Sequence, residues 1–166
     1  MNIRKVEAKD LSEILNIYNQ GIEDRVATLE VKLKNQEDID SWFLQHQNRY
    51  VGLVAEDEKT NIIGWSAINP YNSREVYKGV GEVSIYIHRD FRGQGVGQKL
   101  LKQLEIEALN HDFYKLVLFT FPSNDLGQGL YNKLQYRQVG IFKNQGILDG
   151  KFVDVMAMEK IINENM

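Results

Sequence analysis

The sequence contains no cysteine. That removes disulfides, thiolate metal ligands and a cysteine nucleophile from consideration. The three histidines, His46, His88 and His111, are scattered without H-x₃-H spacing, so no histidine metal site, and no metal, is expected. There are only two prolines, Pro70 and Pro122, each just after an apolar run. No apolar run approaches the ~18 residues needed to span a bilayer. The start, Met1-Asn2-Ile3-Arg4-Lys5, turns polar at once, unlike the apolar core of a signal peptide. The expectation is a cytoplasmic protein with no membrane partner. Lysine and arginine form no cluster and the formal net charge is −3, so a nucleic-acid partner has no electrostatic footprint.

What is present reads as one globular domain over residues 1–166. The hydrophobic fraction of 43% and charged fraction of 26% are ordinary for a soluble fold, and the length allows one real core. Ile3 to Val6 is a strand candidate. Asp10-Leu11-Ser12-Glu13 reads as a capping box, and Leu11, Ile14, Leu15 and Tyr18 give one helical face that Gly21 can end. Asn35 caps a second helix with Ile39, Trp42 and Phe43 as its stripe. Val51–Glu56 and Asn61–Ile68 read as a hairpin. Glu82–His88 alternates with period two. A long helix runs from about Gly95 to Asn110, followed by a strand at Lys115–Phe121 and a short helix at about Leu126–Leu134. Arg137–Gln145 and Lys151–Ile161 pair around Asp149-Gly150, a strong hairpin turn. Strand runs mixed with crossover helices predict an α/β (α+β) fold, a mixed sheet with helices on both faces.

The most informative segment is Arg92-Gly93-Gln94-Gly95-Val96-Gly97, between a strand and a helix. Glycines allow close backbone approach, and amides at a helix start carry the positive dipole end toward an anion. A Walker loop would need Gly-Lys-Ser/Thr, and here Gln98-Lys99 follows Gly97. A Rossmann loop has other glycine spacing and lies near a first strand.

Arg92-x-x-Gly95-x-Gly97 resembles the R-x-x-G-x-G/A motif of GNAT acetyltransferases. Asn124, Leu130-Tyr131 and Leu134-Gln135-Tyr136 are similar to that family's N-x-x-[SA]-x-x-[LF]-[YH]-x-x-L-G-[FY] helix. The resemblance runs from Ile3 to about Glu159. Within the family, Asn69-Pro70-Tyr71-Asn72-Ser73-Arg74-Glu75-Val76-Tyr77, the strand Glu82–Ile87, Ala27-Thr28-Leu29-Glu30 and Gly150–Val155 look like the phosphinothricin/methionine sulfoximine acetyltransferases. This chain departs from that pattern at Asn69 (usually Gly), Gly127 (Ser or Ala), Gln135 (Gly), Tyr131 (often His) and Phe152 (Trp).

The resemblance implies a GNAT fold with about seven strands, acetyl-CoA as co-substrate, a small amino-acid-like amine as acceptor, and a homodimer. It implies a cofactor site at Ile85, Tyr86, Ile87, Arg92, Gly93, Gln94, Gly95, Val96, Gly97, Asn124 and Tyr131. Glu82 is the candidate base, because the acceptor starts as ammonium. Tyr131 is the candidate acid for the CoA thiolate. Tyr71, Arg74, Tyr77 and Glu82 are the candidate substrate residues, since an arginine fork suits a carboxylate or phosphinate. With no cysteine, an acetyl-cysteine intermediate is excluded and direct transfer in a ternary complex is favoured. Polyamine or protein amines as acceptors, with Glu23, Asp24 and Glu30 as candidate acids, stay open. So does a non-catalytic acyl-CoA-binding domain.

Overall fold

The computed structural model describes residues 1–164. In chain order the elements are β1 (Asn2–Lys5), α1 (Leu11–Asp24), α2 (Gln36–Gln45), β2 (Gly52–Glu56), β3 (Ile62–Pro70), β4 (Val80–Ile87), α3 (Val96–Asn110), β5 (Lys115–Thr120), α4 (Asp125–Lys133), β6 (Arg137–Leu148) and β7 (Lys151–Ile161). Short 3₁₀ turns precede α1 and follow β4. The seven strands form one sheet in the order β1-β2-β3-β4-β5-β7-β6. Only β4 and β5 pair in parallel; the other neighbours are antiparallel. A parallel pair needs a crossover, and α3 supplies it.

Two apolar clusters cover the two faces. Leu11, Ile14 and Ile17 of α1 and Ile39 of α2 pack on Val54 and Trp65. Leu100, Leu101, Leu104 and Ala108 of α3, with Tyr131 and Leu134, pack on Val83, Leu116 and Leu118. Ile14, Ile17 and Ile22 are fully buried, each contributing roughly 1.5–3 kcal/mol over an exposed position. Among the described residues no helix is long and apolar enough to cross a membrane.

The expected mixed sheet with helices on both faces is the observed architecture, and Leu148 and Lys151 pair across Asp149-Gly150 as the turn signal predicts. Some local expectations fail for identifiable reasons. Gly21 does not end α1; the helix runs on to Asp24 and stops at Arg25, which takes a left-handed φ of 55°. Gly21 is needed for contact instead, because a Cβ there would lie 2.7 Å from the Tyr86 ring. β4 starts two residues earlier than its alternation suggests, and β6 continues to Leu148 past two register shifts.

The Asp10–Glu13 box does not form. Asp10 is buried and bonds backward: it accepts from the Glu7 amide (2.8 Å) and from Arg4 Nη1 and Nη2 (2.7 and 2.8 Å), while Arg4 Nε donates to Glu56 (2.7 Å). Burial disfavours the Asp10 carboxylate, but the Arg4 guanidinium and the Glu7 amide outweigh it and hold the carboxyl below its ordinary 3.8. A depressed folded value means a contribution present above the unfolded value and lost as pH falls through the folded one. Asp10→Ala is therefore expected to cost about 3 kcal/mol at neutral pH, since it strips a buried partner from Arg4. In urea melts the gap to the parent protein should narrow below pH 3.8. A gap unchanged on acidification would exclude Asp10 as an acid-sensitive contact.

Candidate active site

β4 and β5 pair over three residues only, Val80–Glu82 against Lys115–Val117. β4 then continues to Ile87 and β5 to Thr120, so the β5-facing edge of residues 83–87 has no ladder partner. Backbone polar groups without partners demand something to bond to. A cavity of about 400 Å³ opens there, lined by Ile85, Tyr86 and Ile87 on one side, Leu130 and Tyr131 of α4 on the other, and the glycine-rich turn at its end.

That turn is shaped as an anion cradle. Gly93 and Gly95 have φ of 74° and 82°, and Gly95 is the N-cap of α3. A Cβ at either would meet no atom within 4 Å, so this backbone faces open space at the positive end of a helix. Gly97 serves packing: a Cβ there would lie 2.9 Å from Leu130 Cδ2, which lets α4 approach α3. Gln94 departs from the expectation. It does not line the cavity, and its amide donates to the Asp90 carbonyl (2.8 Å), stiffening the turn from outside. Arg92 lines the cavity, donates from Nε to the Ile87 carbonyl (3.2 Å) and pairs through Nη1 with Asp24 (2.7 Å).

Asp24 lines the cavity, and its pairing with Arg92 is what sequence reasoning missed. Glu23 and Asp24 were legible as an acid pair, but their partners, Arg89 and Arg92, lie more than 60 residues away. Glu30 is likewise taken, by Lys34 at 3.0 Å. All three acids suggested for a polyamine pocket are thus committed to cations of this chain. Lys133, at the end of α4, also lines the cavity.

Asn124 also lines the cavity, but its side chain is turned into the protein. Nδ2 donates to the buried Thr120 hydroxyl (2.9 Å) and Oδ1 accepts from the Gly127 amide (3.0 Å), capping α4. A Cβ at residue 127 would fall on the Asn124 amide, so glycine at this position is what permits that orientation. After α4, Gln135 takes a left-handed φ of 67° where the resembling family has glycine.

Tyr131 is buried at the cavity wall, and burial, reinforced by the neighbouring Tyr86, pushes its phenol well above the ordinary 10. Burial likewise pushes Tyr86 up to about 12, opposed by the hydrogen bond that its oxygen shares with Thr28 Oγ1 (2.8 Å). Both side chains therefore keep their protons across the neutral range.

Glu82 is the last β4 residue paired to β5, facing Val117. It stands at the apex of the splay. Cross-strand register puts it opposite Asn69, as Ser84 is opposite Ala67 and Tyr86 opposite Trp65, so Glu82, Ser84 and Tyr86 share the face covered by α1 and α2. Its carboxylate has no hydrogen-bond partner among the described residues, and partial burial raises it above its ordinary 4.5. Tyr71, Arg74 and Tyr77 sit in the loop joining β3 to β4, beyond that apex. The Tyr71 and Tyr77 rings meet edge to face, 5.5 Å apart. The exposed Arg74 guanidinium makes no bond to any described residue. The structure thus gathers most of the cofactor candidates around the cavity and leaves Glu82, Tyr71, Arg74 and Tyr77 outside it, at its apex end.

A model of the acetyltransferase (GNAT) family matches residues 11–136. The chain is 34% identical over 158 residues to the Bacillus subtilis (strain 168) protein named "Putative phosphinothricin acetyltransferase YwnH", covering 95% of this chain and 97% of that one. It is 28% identical over 162 residues to the L-methionine sulfoximine/L-methionine sulfone acetyltransferase of Pseudomonas aeruginosa, covering 95% and 92%. Among solved structures, a GNAT superfamily phosphinothricin acetyltransferase from Sinorhizobium meliloti in complex with AcCoA superposes with a TM-score of 0.92 at 26% identity, over 98% of this chain and 89% of that one.

Proposed function

Because this chain belongs to the GNAT family of acetyl-CoA-dependent N-acetyltransferases, we propose that it acetylates the primary amine of a small amino acid or analogue, by direct transfer in a ternary complex. The observation that supports this most is the unpaired edge of β4, which leads from the glycine-rich turn to Glu82. An extended thioester arm laid along that edge would bring its carbonyl toward the apex, with the backbone near Ile85–Ile87 supplying N–H donors for the oxyanion.

Glu82, directly or through one water, takes a proton from the acceptor ammonium. The neutral amine attacks the thioester carbonyl, the C–N bond forms, and the C–S bond breaks. Tyr131, kept protonated by burial, gives its proton to the departing thiolate, and the surplus proton on the new amide nitrogen passes through solvent to restore the phenol. Arg74, an unpaired cation beyond the apex, suits the acceptor's carboxylate or phosphinate, and Tyr71 and Tyr77 suit its side chain. Acetyl-CoA is held by Arg92 and the amides of the Gly93–Gly97 turn. The outer strand β6 and the exposed cross-strand pair Ile147 and Phe152 support a homodimer through this hairpin.

A free-thiol assay with acetyl-CoA tests the acceptor reading. The panel is methionine sulfoximine, methionine sulfone, phosphinothricin, common amino acids, spermidine and a short peptide. CoA release is expected on the amino-acid analogues. Release on spermidine or peptide alone would overturn the acceptor class, and binding of acetyl-CoA without release on any amine would favour a sensing domain.

A further inference from the structure

Outside the cavity, a chain of hydrogen bonds runs from the end of α2 to the strand that carries Glu82. His46 Nδ1 lies 2.6 Å from the Trp42 carbonyl. A carbonyl only accepts, so Nδ1 carries a proton. At the other end, Asn69 Nδ2 lies 3.2 Å from the Glu82 carbonyl and 2.9 Å from Ser84 Oγ. The Glu82 carbonyl also only accepts, so the amide nitrogen has to face β4. Asn69 Oδ1 is thereby turned to His46 Nε2, at 3.0 Å. An oxygen in that place requires a proton on Nε2 as well. Both ring nitrogens are then donors, and His46 is an imidazolium, buried and stacked on the Trp42 ring at 4.5 Å.

Removing one proton reverses the chain. The Trp42 carbonyl holds the remaining proton on Nδ1, so Nε2 becomes an acceptor facing an acceptor. The Asn69 amide relieves this by turning over and donating Nδ2 to Nε2. Its oxygen then faces β4, the Ser84 hydroxyl turns inward to donate to it, and the Glu82 carbonyl loses its donor. We propose that His46 is a positioning residue for the acceptor side of the active site, setting through the Asn69 amide how the Glu82 peptide and the Ser84 hydroxyl are held. The proposal rests on the reading of Glu82 as the base.

Among the described residues, the groups that face His46 are neutral or already bonded elsewhere. From α2 it meets the Trp42 ring; Asp38 and Asp40 of that helix bond Asn35 and Gln36. From β3 it meets the Asn69 amide. α1 covers this face with Leu11, Ile14, Ile17 and Tyr18. Arg49, just after α2, is bound to the carbonyls of Lys78, His111 and Asp112. Tyr71 and Tyr77 flank the far end of β3. Activity should rise as Glu82 ionises and fall as His46 loses its proton. Deprotonation of the acceptor ammonium also lowers kcat/KM, in the parent and in a His46 variant alike, whereas Tyr86 and Tyr131 hold their protons to higher pH. A falling limb at the midpoint of the His46 titration, absent in His46→Gln, therefore belongs to His46.

The experiment follows the full-length, ¹⁵N-labelled protein by NMR against pH, reading the His46 ring nitrogens and the Asn69 side-chain amide. In parallel, kcat/KM is measured for the amine acceptor found by the thiol assay, at saturating acetyl-CoA. The expected result is that Nε2 is protonated at low pH and loses its proton at the pH where the Asn69 amide signals move. The falling limb of kcat/KM should share that midpoint. His46→Gln, which cannot titrate, should lack the limb. It should also lose about tenfold in kcat/KM for the amine, the equivalent of one hydrogen bond, with the KM of acetyl-CoA unchanged. An Nε2 without a proton at every pH, an Asn69 amide that ignores the His46 titration, or a limb that persists in His46→Gln would each overturn the proposal. The NMR readings need no turnover, so they decide the His46–Asn69 coupling even if Glu82→Gln retains activity and the base assignment fails. Should His46→Gln not fold, the parent protein's spectra decide alone.

Discussion

Replacing Glu82 with glutamine should lower kcat by about 10²–10⁴-fold, the range that a positioned general base supplies, while acetyl-CoA binds as before. Glutamine keeps the size and the strand register but cannot take a proton. The carboxylate has no partner to lose, so the substitution breaks no bond and should leave the melting temperature near that of the parent. Along β4 the cavity lining begins at Ile85 and does not include Glu82. Because burial raises the Glu82 carboxyl above 4.5, the parent's kcat/KM should rise with pH through a value above the ordinary carboxylate range, and the variant should lose that limb. Stopped-flow or steady-state thiol release, beside calorimetric titration with acetyl-CoA, separates the two effects. Undiminished turnover would remove Glu82 from the mechanism and leave a water as the proton acceptor.

Gly95→Val should weaken acetyl-CoA binding about 100-fold. The position has a φ of 82°, a left-handed conformation that costs a residue with a Cβ about 1–2 kcal/mol and a β-branched residue more. The variant can relieve that only by shifting the N-cap of α3, which turns its amides away from the cradle. A lost bond to a charged phosphate adds about 1.5 kcal/mol, for a sum of about 3 kcal/mol. No neighbour lies within 4 Å of the new Cβ, so the core stays packed and thermal stability should fall only by the strain. Gly97→Ala is the contrast, because its Cβ meets Leu130 and should act through the α3–α4 contact. Calorimetry with acetyl-CoA gives the measurement. Parental affinity in Gly95→Val would mean that the helix start does not hold the phosphates.

Several features were legible in the chain alone because they depend on local chemistry. The alternation of β4 and the i, i+3, i+4 stripes of α1 and α3 report which face is buried. Asn35 caps α2 as read, with Asp38 completing a reciprocal cap, and Asp149-Gly150 makes its turn. The glycine-rich turn was legible because glycine is the residue that adopts positive φ freely, as Gly93 and Gly95 do. Asp10 and Gly21 misled for a shared reason. Each residue type has a common local role, a cap or a helix end, and each was claimed by a distant neighbour, Arg4 together with Glu56 in one case and Tyr86 in the other.

The sequence by itself determined the order of elements and the family resemblance, because these follow from short-range pattern and residue type. Only the tertiary structure decided that β4 and β5 part after Glu82, which opens the cavity and sets that residue at its apex. It also decided that Asp24 holds Arg92, that Asn124 turns inward beside Gly127, and that His46 reaches Glu82 through Asn69. Apart from the local Asn124 contacts, these join residues far apart in the chain. Their energies depend on distance and orientation in space, and no spacing along the backbone encodes them.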